Sequence, residues 1–383
     1  MARKLLFILP SFQIGGTTVS TFNLISVLDK DQYDIKVWAL DNHGLLKSMY
    51  DDVAQIQTCF IAQALSLSGW KKEDNWPRRI AAASIRLLAK HISVLRQYYI
   101  KRSIQKCLKG LRFDTVIACE EDFATEFTSY ITCENRVSWV RCDYKRYFEI
   151  HKHHRETFYY KFNHIVCVAE QATKHFIEIY PELQEKVCCI QNPQDSNYII
   201  SRAEIDDHDI HFSVNGKRII VSIGRLVRVK RFVQIPFLAK KLKEKGLSFV
   251  WFIIGDGDEK DSISDAIVQN HVEDCVIMLG AKSNPHYYIK KADLYVCLSV
   301  SEACPRVINE AKILGTPVVS TDYDTVYEFI ENGENGIIAP IDNIADKVYE
   351  MLTDDVMYSS IRNNISNFTF DNTSLVCELE KIL

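Results

Sequence analysis

No apolar run in the 383 residues reaches the ~18 to 20 residues that a membrane-spanning helix needs. The N-terminal run Leu5 to Leu9 ends at Pro10 and is too short for the core of a signal peptide, so the expected location is the cytoplasm. There is no Cys-x-x-Cys pair among the twelve cysteines, which removes the main support for a zinc ribbon or a thioredoxin-like site. Most cysteines lie within apolar runs, as Cys167 does between Val166 and Val168, and read as small reduced core residues. Positive charge is not in excess: 46 basic residues meet 50 acidic ones, a formal net of −4. That excludes a binder that grips nucleic acid with its whole surface. Internal repeats and low-complexity segments are absent. So is the pairing of low hydrophobicity with high net charge that marks disorder.

What is present is the balance of a soluble globular protein, 47% hydrophobic and 25% charged, with enough length for two cores. Leu5 to Leu9 reads as a buried strand, Gly15-Gly16 as a glycine loop, and Thr17 as the cap of a helix carrying Val19, Phe22, Leu24, Ile25 and Leu28. Tyr33 to Leu40 is the next strand, which completes a βαβ unit. Asp114 to Cys119, Arg136 to Val140 and Ile165 to Ala169 read as further strands. A second alternating series begins with the strand Ile219 to Ile223, a basic loop after Gly224, and a helix over Phe232 to Lys243. Ser248 to Ile254, Val276 to Leu279, Leu294 to Leu298 and Pro317 to Ser320 continue it. The expected division is 1–195, 196–365 and a C-terminal helix within 366–383 that packs back on the first domain.

The segment 70–112 stands apart. Twelve cations, among them Arg86, Lys90, Arg96, Lys101 and Lys106, oppose only Glu73 and Asp74, a local net of +10. Ile85, Leu88, Ile92, Leu95 and Tyr99 recur at helical spacing and predict one apolar face. Two readings stay open. One is a solvated helix packed on the core. The other is a membrane-surface helix that meets anionic lipid and holds a lipid-linked acceptor. Nucleic acid is the least supported partner.

The stretch that carries chemistry follows the strand Leu294 to Leu298. It runs Ser301-Glu302-Ala303-Cys304-Pro305-Arg306-Val307-Ile308-Asn309-Glu310. Pro305 suits the first turn of a helix, and Gly315 with Pro317 ends it. Glu302 then lies in the strand-to-helix loop and Glu310 inside the helix. The helix N-terminus offers free N–H groups and a positive dipole end to a phosphate. Two carboxylates flanking such an anion site suit a nucleotide sugar.

Glu302 and Glu310 match the E-x7-E motif of retaining family 4 glycosyltransferases. The surroundings strengthen the resemblance. Gly224-Arg225-Leu226 with Lys230 is similar to that family's G-R-L-x-x-x-K loop. Gly255-Asp256-Gly257 resembles its G-D-G, Glu328 to Gly336 its E-x-I-x-x-G-x-N-G segment, and Asn192-Pro193 the N-P before its domain linker. The resemblance covers roughly 5–40 and 135–380. It implies an α/β protein of the GT-B fold, two Rossmann-like domains facing each other across a cleft, with a nucleotide-diphosphate sugar as donor.

The roles it implies attach to single residues. Arg225 and Lys230 hold the donor diphosphate and stabilise its charge as the sugar leaves. Glu302 faces the donor sugar, with the backbone N–H groups of Ala303 and Cys304 beside it. Glu310 binds the ribose hydroxyls, and Gly15 and Gly16 let the first domain's backbone approach the donor. Retention follows from attack on the leaving-group face, with the departing phosphate taking the acceptor's proton. The acceptor is a saccharide, lipid-diphosphate-linked as in bacterial capsule or cell-wall assembly, used by an enzyme peripheral on the inner face of the membrane. Two residues depart from the family pattern. Ala303 stands where glycine is usual. Arg141, in Trp139-Val140-Arg141-Cys142-Asp143-Tyr144, stands where histidine is usual. Arginine cannot act as a base near neutral pH, but it can contact a donor or acceptor phosphate.

No metal and no cofactor is expected. Asp256-Gly257-Asp258 and Asp322-Tyr323-Asp324 both spell D-x-D, the metal signature of the other main glycosyltransferase fold, but that fold does not explain Arg225, Lys230 and both glutamates together. His151, His153 and His154 read as a solvated cluster. A sugar-nucleotide epimerase or phosphorylase of the same fold, or a nucleotide-sugar-binding partner without activity, would use the same donor site.

Overall fold

Short runs of branched and aromatic residues too apolar to face water build two parallel sheets in the computed structural model of the chain. It describes residues 2–13, 15–66, 75–205 and 216–383. They divide into two units, Met1–Pro193 with Asn372–Leu383, and Gln194–Asp371.

The first unit holds β1 (Arg3–Ser11), β2 (Tyr33–Asp41), β3 (Ala54–Gln55), β4 (Thr115–Ala118), β5 (Asn135–Val140), β6 (His164–Cys167) and β7 (Val187–Cys189). Their order is β3-β2-β1-β4-β5-β6-β7. Leu5, Leu6, Phe7, Ile8 and Leu9 of β1 are all buried, as expected of a central strand covered on both faces. Each such side chain contributes about 1.5–3 kcal/mol by leaving water. The C-terminal helix Thr373–Ile382 belongs to this unit. Its end is tied to the sheet by Thr115 Oγ1, which donates to the Leu383 carbonyl at 2.8 Å, and by Asn135 Nδ2, which donates to the Ile382 carbonyl at 2.7 Å.

The second unit holds β8 (Arg218–Ile223), β9 (Phe249–Ile254), β10 (Val276–Gly280), β11 (Leu294–Cys297), β12 (Val318–Thr321) and β13 (Ile337–Ala339), in the order β10-β9-β8-β11-β12-β13. In each sheet the strand order reverses once, between β1 and β4 and between β8 and β11. Parallel sheets bind ligands beyond the carboxyl ends of the strands at such a reversal. The loops that carry the candidate residues are those that follow β1, β5, β8 and β11.

Several local expectations are corrected. Thr17 does not cap the first helix, Gly16–Ser26: Gly15 is its N-cap and no side chain caps it. Thr18 turns back instead and donates to the Gln13 carbonyl at 2.9 Å. Pro305 is the N-cap of the helix Arg306–Ile313, one residue before its first turn. The helix read over Phe232 to Lys243 begins as a 3-10 turn, and its α-helical part is Ile235–Glu244 with Pro236 in the first turn.

The single apolar face over Ile85 to Tyr99 does not form. The helices Trp76–His91 and Ser93–Leu108 are broken at Ile92, which is extended at φ −126° and ψ 97°. β-branched Ile92 and Val94 flank a serine there, a run that resists helix. The break leaves Leu88 and Ile92 exposed, while Ile85 and Tyr99 pack on the core with Ile100 and Leu108. Trp70, Lys71, Lys72, Glu73 and Asp74 of the basic segment lie outside the described residues.

Candidate functional site

The loop after β8 owes its shape to glycine. Gly224, Gly255 and Gly257 have φ of 158°, 150° and 159°, a region that side chains disfavour. A Cβ on Gly255 would lie 1.8 Å from the Gly224 carbonyl oxygen, and one on Gly257 would lie 2.5 Å from that of Leu226. The two loops therefore pack backbone against backbone. The Gly224 N–H donates to the Ile254 carbonyl at 3.0 Å and the Leu226 N–H to the Asp256 carbonyl at 3.0 Å. Leu226 is fully buried beneath them. Arg225 projects from this fixed turn, exposed, and no described side chain engages its guanidinium.

Lys230 ends the same loop, and its ammonium lies 2.7 Å from Glu302 Oε2. Ser299 Oγ donates to Glu302 Oε1 at 2.6 Å, and Cys297 Sγ lies 3.5 Å from the same oxygen. Burial alone would raise the pKa of Glu302, but Lys230, Ser299 and Cys297 outweigh it and hold the carboxyl below its ordinary value. The loops after β8 and β11 are joined by the Val300 N–H, which donates to the Val229 carbonyl at 2.8 Å. Ala303 is buried and does not adopt the positive φ for which glycine is preferred. Cys304 is half-buried and lies just before Pro305 and the helix Arg306–Ile313, whose N-terminus has no side-chain cap.

Glu310 lies about one turn into that helix and is only 4% exposed. Arg306, one turn earlier, donates from Nη2 to Glu310 Oε1 at 3.0 Å. His286 Nε2 lies 3.6 Å from Oε2. Against a burial that favours the neutral acid, Arg306 and His286 hold the carboxyl ionised, with a pKa lowered to about 2.

In the first unit the glycine loop after β1 has room. Gly15 is extended, at φ 179°, and a Cβ on Gly15 or Gly16 would meet no heavy atom within 4 Å. Beside it, the loop after β4 carries Glu120, Glu121 and Asp122. Burial, then the charges of Glu121 and Asp122, push Glu120 up to about 8. Asp122 has φ 73°, a strained conformation for a non-glycine residue. Arg141 follows β5 and is enclosed by its own unit. Its Nε donates to the Cys119 carbonyl at 2.7 Å, Nη1 to Asn192 Oδ1, and Nη2 to Thr21 Oγ1 at 3.4 Å. It joins the loops after β4 and β7 to the first helix.

Arg225, Lys230, Glu302, Ala303, Cys304 and Glu310 thus lie on the carboxyl-end loops of one sheet and on the helix that follows β11. Gly15, Gly16 and Arg141 occupy the corresponding end of the other. Sequence reasoning assigned no role to Ser299, Arg306, His286 or Glu120. Arg306 alone had a signal, its i,i+4 spacing from Glu310. Asp256, Asp258, Asp322 and Asp324 are all exposed, and no group of three or more His, Cys, Asp or Glu among the described residues could hold a metal ion. His151 stacks on Tyr147 with ring centroids 4.0 Å apart, at the end of the helix Tyr144–Ile150.

Residues 204–368 match the family described as Glycosyl transferases group 1. The chain is 27% identical over 194 residues to the uncharacterized glycosyltransferase MJ1059 of Methanocaldococcus jannaschii, a match covering 50% of this chain and 46% of that protein. It is 29% identical over 150 residues to the N-acetylgalactosamine-N,N'-diacetylbacillosaminyl-diphospho-undecaprenol 4-alpha-N-acetylgalactosaminyltransferase of Campylobacter jejuni, covering 38% and 40%. The chain spans less than half the length of these curated relatives. Among solved structures, Anabaena HepE in complex with UDP and glucose is similar at a TM-score of 0.73 and 16% identity, covering 99% of this chain and 98% of that one. The two parallel α/β units and this likeness make the fold GT-B, and residues 204–368 are similar to a group 1 glycosyltransferase domain.

Proposed function

We propose that the chain is a retaining glycosyltransferase of family 4. It moves a sugar from a nucleotide-diphosphate sugar to a hydroxyl of a saccharide acceptor, without a metal ion. The observation that carries this reading is the cluster at the strand reversal of the second unit. An exposed Arg225, the Lys230–Glu302 pair at 2.7 Å and the uncapped helix N-terminus all belong to loops after β8 and β11. Two cations and a helix dipole suit the charge that develops on a departing diphosphate. That is the work a divalent ion would otherwise do. In the bound state Arg225 and Lys230 contact the diphosphate, Glu302 the sugar and Glu310 the ribose. The acceptor hydroxyl attacks the anomeric carbon, the bond to the diphosphate breaks, and the leaving phosphate oxygen receives the acceptor's proton.

The acceptor in this reading is lipid-diphosphate-linked, in the assembly of a bacterial surface polysaccharide. The Campylobacter relative's name states a diphospho-undecaprenol acceptor. The helices Trp76–His91 and Ser93–Leu108 also support a peripheral place on the membrane's inner face. They expose Trp76 at 72% and Val94 at 73%, beside the exposed cations Arg79, Lys90, Arg102 and Lys106. No described helix is long and apolar enough to cross a membrane. Screening nucleotide sugars for release of the nucleoside diphosphate, with and without lipid-linked saccharide, tests the reading. Binding without release would leave a nucleotide-sugar-binding protein that is not a transferase.

A further inference from the structure

Glu302 lies in the loop between β11 and the helix Arg306–Ile313, where no ladder of backbone hydrogen bonds fixes a side chain. Three buried hydroxyls hold it instead. Ser299 Oγ donates to Glu302 Oε1 at 2.6 Å. Thr321, the last residue of β12, donates from Oγ1 to the Ser299 carbonyl at 2.6 Å. Thr325 donates from Oγ1 to the Glu302 carbonyl. Thr325 is the N-cap of the 3-10 turn Val326–Glu328, a position where a threonine hydroxyl ordinarily accepts from the N–H groups of its own turn. Here it caps nothing and is turned towards Glu302. Ser299, Thr321 and Thr325 are 1%, 1% and 2% exposed, so none of them reaches a ligand. The Glu302 side chain, at 15%, does open to solvent. A carboxylate has about four acceptor positions. Ser299 and Cys297 occupy those of Oε1, and Lys230 takes one on Oε2, which leaves Oε2 able to accept from one further donor.

We propose that Ser299 and Thr325 are positioning residues for the donor sugar. They act through Glu302 and hold its open acceptor position where a sugar hydroxyl meets it. The inference rests on the reading above, in which Glu302 faces the donor sugar. The two hydroxyls work on different parts of the residue. Ser299 sets the carboxylate and Thr325 the backbone that carries it, while Thr321 fixes Ser299 from β12. A carboxylate held in advance need not be ordered when the ligand binds. In the same reading the ribose and diphosphate meet Glu310, Arg225 and Lys230, so the loss of either hydroxyl falls on the sugar part of the donor.

The test is calorimetric titration of the full chain with UDP-glucose, UDP-galactose, UDP-N-acetylglucosamine and GDP-mannose, each beside its own nucleoside diphosphate. Thr325→Val and Ser299→Ala remove one hydroxyl each. Each is expected to weaken the nucleotide sugar that binds most tightly about five- to tenfold, the scale of one hydrogen bond, and to leave binding of the nucleoside diphosphate unchanged. Thr325→Ser keeps the hydroxyl and should keep the affinity. In a Glu302→Ala background the same substitutions are expected to have no further effect, since a residue that acts through another adds nothing once that one is gone. Should Thr325→Val fail to fold, Ser299→Ala carries the same expectations. Equal weakening of nucleotide and nucleotide sugar, an effect that persists without the Glu302 carboxylate, or no weakening at all overturns the inference while leaving the donor site standing. If Glu302→Ala binds nucleotide sugars as tightly as the unaltered chain, Glu302 does not face the sugar. If none of the four binds the unaltered chain, the donor-site reading itself falls. Either result takes the inference with it.

Discussion

Lys230 and Arg225 differ in a way that bears on their roles. Lys230 is already paired with Glu302, whereas Arg225 is exposed and unengaged. Both would stabilise charge that grows as the diphosphate departs. Lys230→Ala and Arg225→Ala are each expected to lower turnover roughly 10²- to 10³-fold, the effect of losing one preorganised charge stabiliser. Steady-state kinetics near the unaltered rate in both variants would refute the phosphate role. In the proposed complex Glu310 contacts a part of the donor that changes little during reaction, so Glu310→Ala is expected to raise KM for the donor more than it lowers kcat. Its depressed pKa also has a consequence for stability. The folded value is about 2 against an ordinary 4.5, so the contribution is complete above about pH 4.5 and is lost as the pH falls towards 2. That contribution is on the order of 3 kcal/mol. Thermal unfolding of the chain and of Glu310→Gln should show the largest difference at neutral pH and a shrinking one below pH 4.5. A difference that grows in acid would contradict the ionised carboxylate.

Among the elements, the contact between the loops after β8 and β9 leaves no room for change. Gly255→Ala would place a methyl group 1.8 Å from the Gly224 carbonyl oxygen at a φ that alanine resists. Expected are a stability loss of at least about 1–3 kcal/mol and weaker donor binding, because the turn that presents Arg225 must shift. An unchanged melting temperature would show that these loops part easily. The paired helices on either side of Ile92 make a different prediction. Lys90, Arg102 and Lys106 are exposed, and each cation near an anionic surface contributes about 1 kcal/mol. Co-sedimentation with vesicles containing phosphatidylserine is expected at low salt, with release by added salt and loss on replacing these three with glutamine. Arg96 and Arg86 contribute less: Arg96 grips Glu126 through Nε at 2.8 Å, and Arg86 Nη1 donates to the Ser66 carbonyl at 3.3 Å. No binding at low salt would leave the basic helices merely solvated.

The same elements show what the sequence disclosed. β1, β2, β8 and β9 were legible because each is six or more residues, largely apolar, and bounded by turn residues. β3, β7 and β13 were not, since two or three residues carry no period. The break at Ile92 was hidden because apolar spacing continues through it; only the backbone angle of one residue changes. Arg225, Lys230, Glu302 and Glu310 could be singled out as candidates because they fall in motifs that resemble a family's, in that family's order along the chain. His286 could not, because it reaches Glu310 from another helix 24 positions earlier, a relation that folding alone creates. Ser299 and Cys297 likewise become partners of Glu302 only once the loop after β11 turns back.

At the scale of the whole molecule, the proposed donor site belongs to the unit Gln194–Asp371. A ligand that binds only the folded second unit should stabilise it by about 2.7 kcal/mol at a hundredfold excess over Kd. The measurement that bears most directly on the central claim is turnover of a nucleotide-diphosphate sugar with a lipid-linked saccharide acceptor. Nucleoside diphosphate release and the anomeric configuration of the product are followed together, in the presence of a metal chelator. The account predicts one nucleoside diphosphate released per glycoside formed, retention at the anomeric carbon, and a rate unaffected by the chelator. Inversion at that carbon, or activity abolished by chelation and restored by magnesium or manganese, would contradict it.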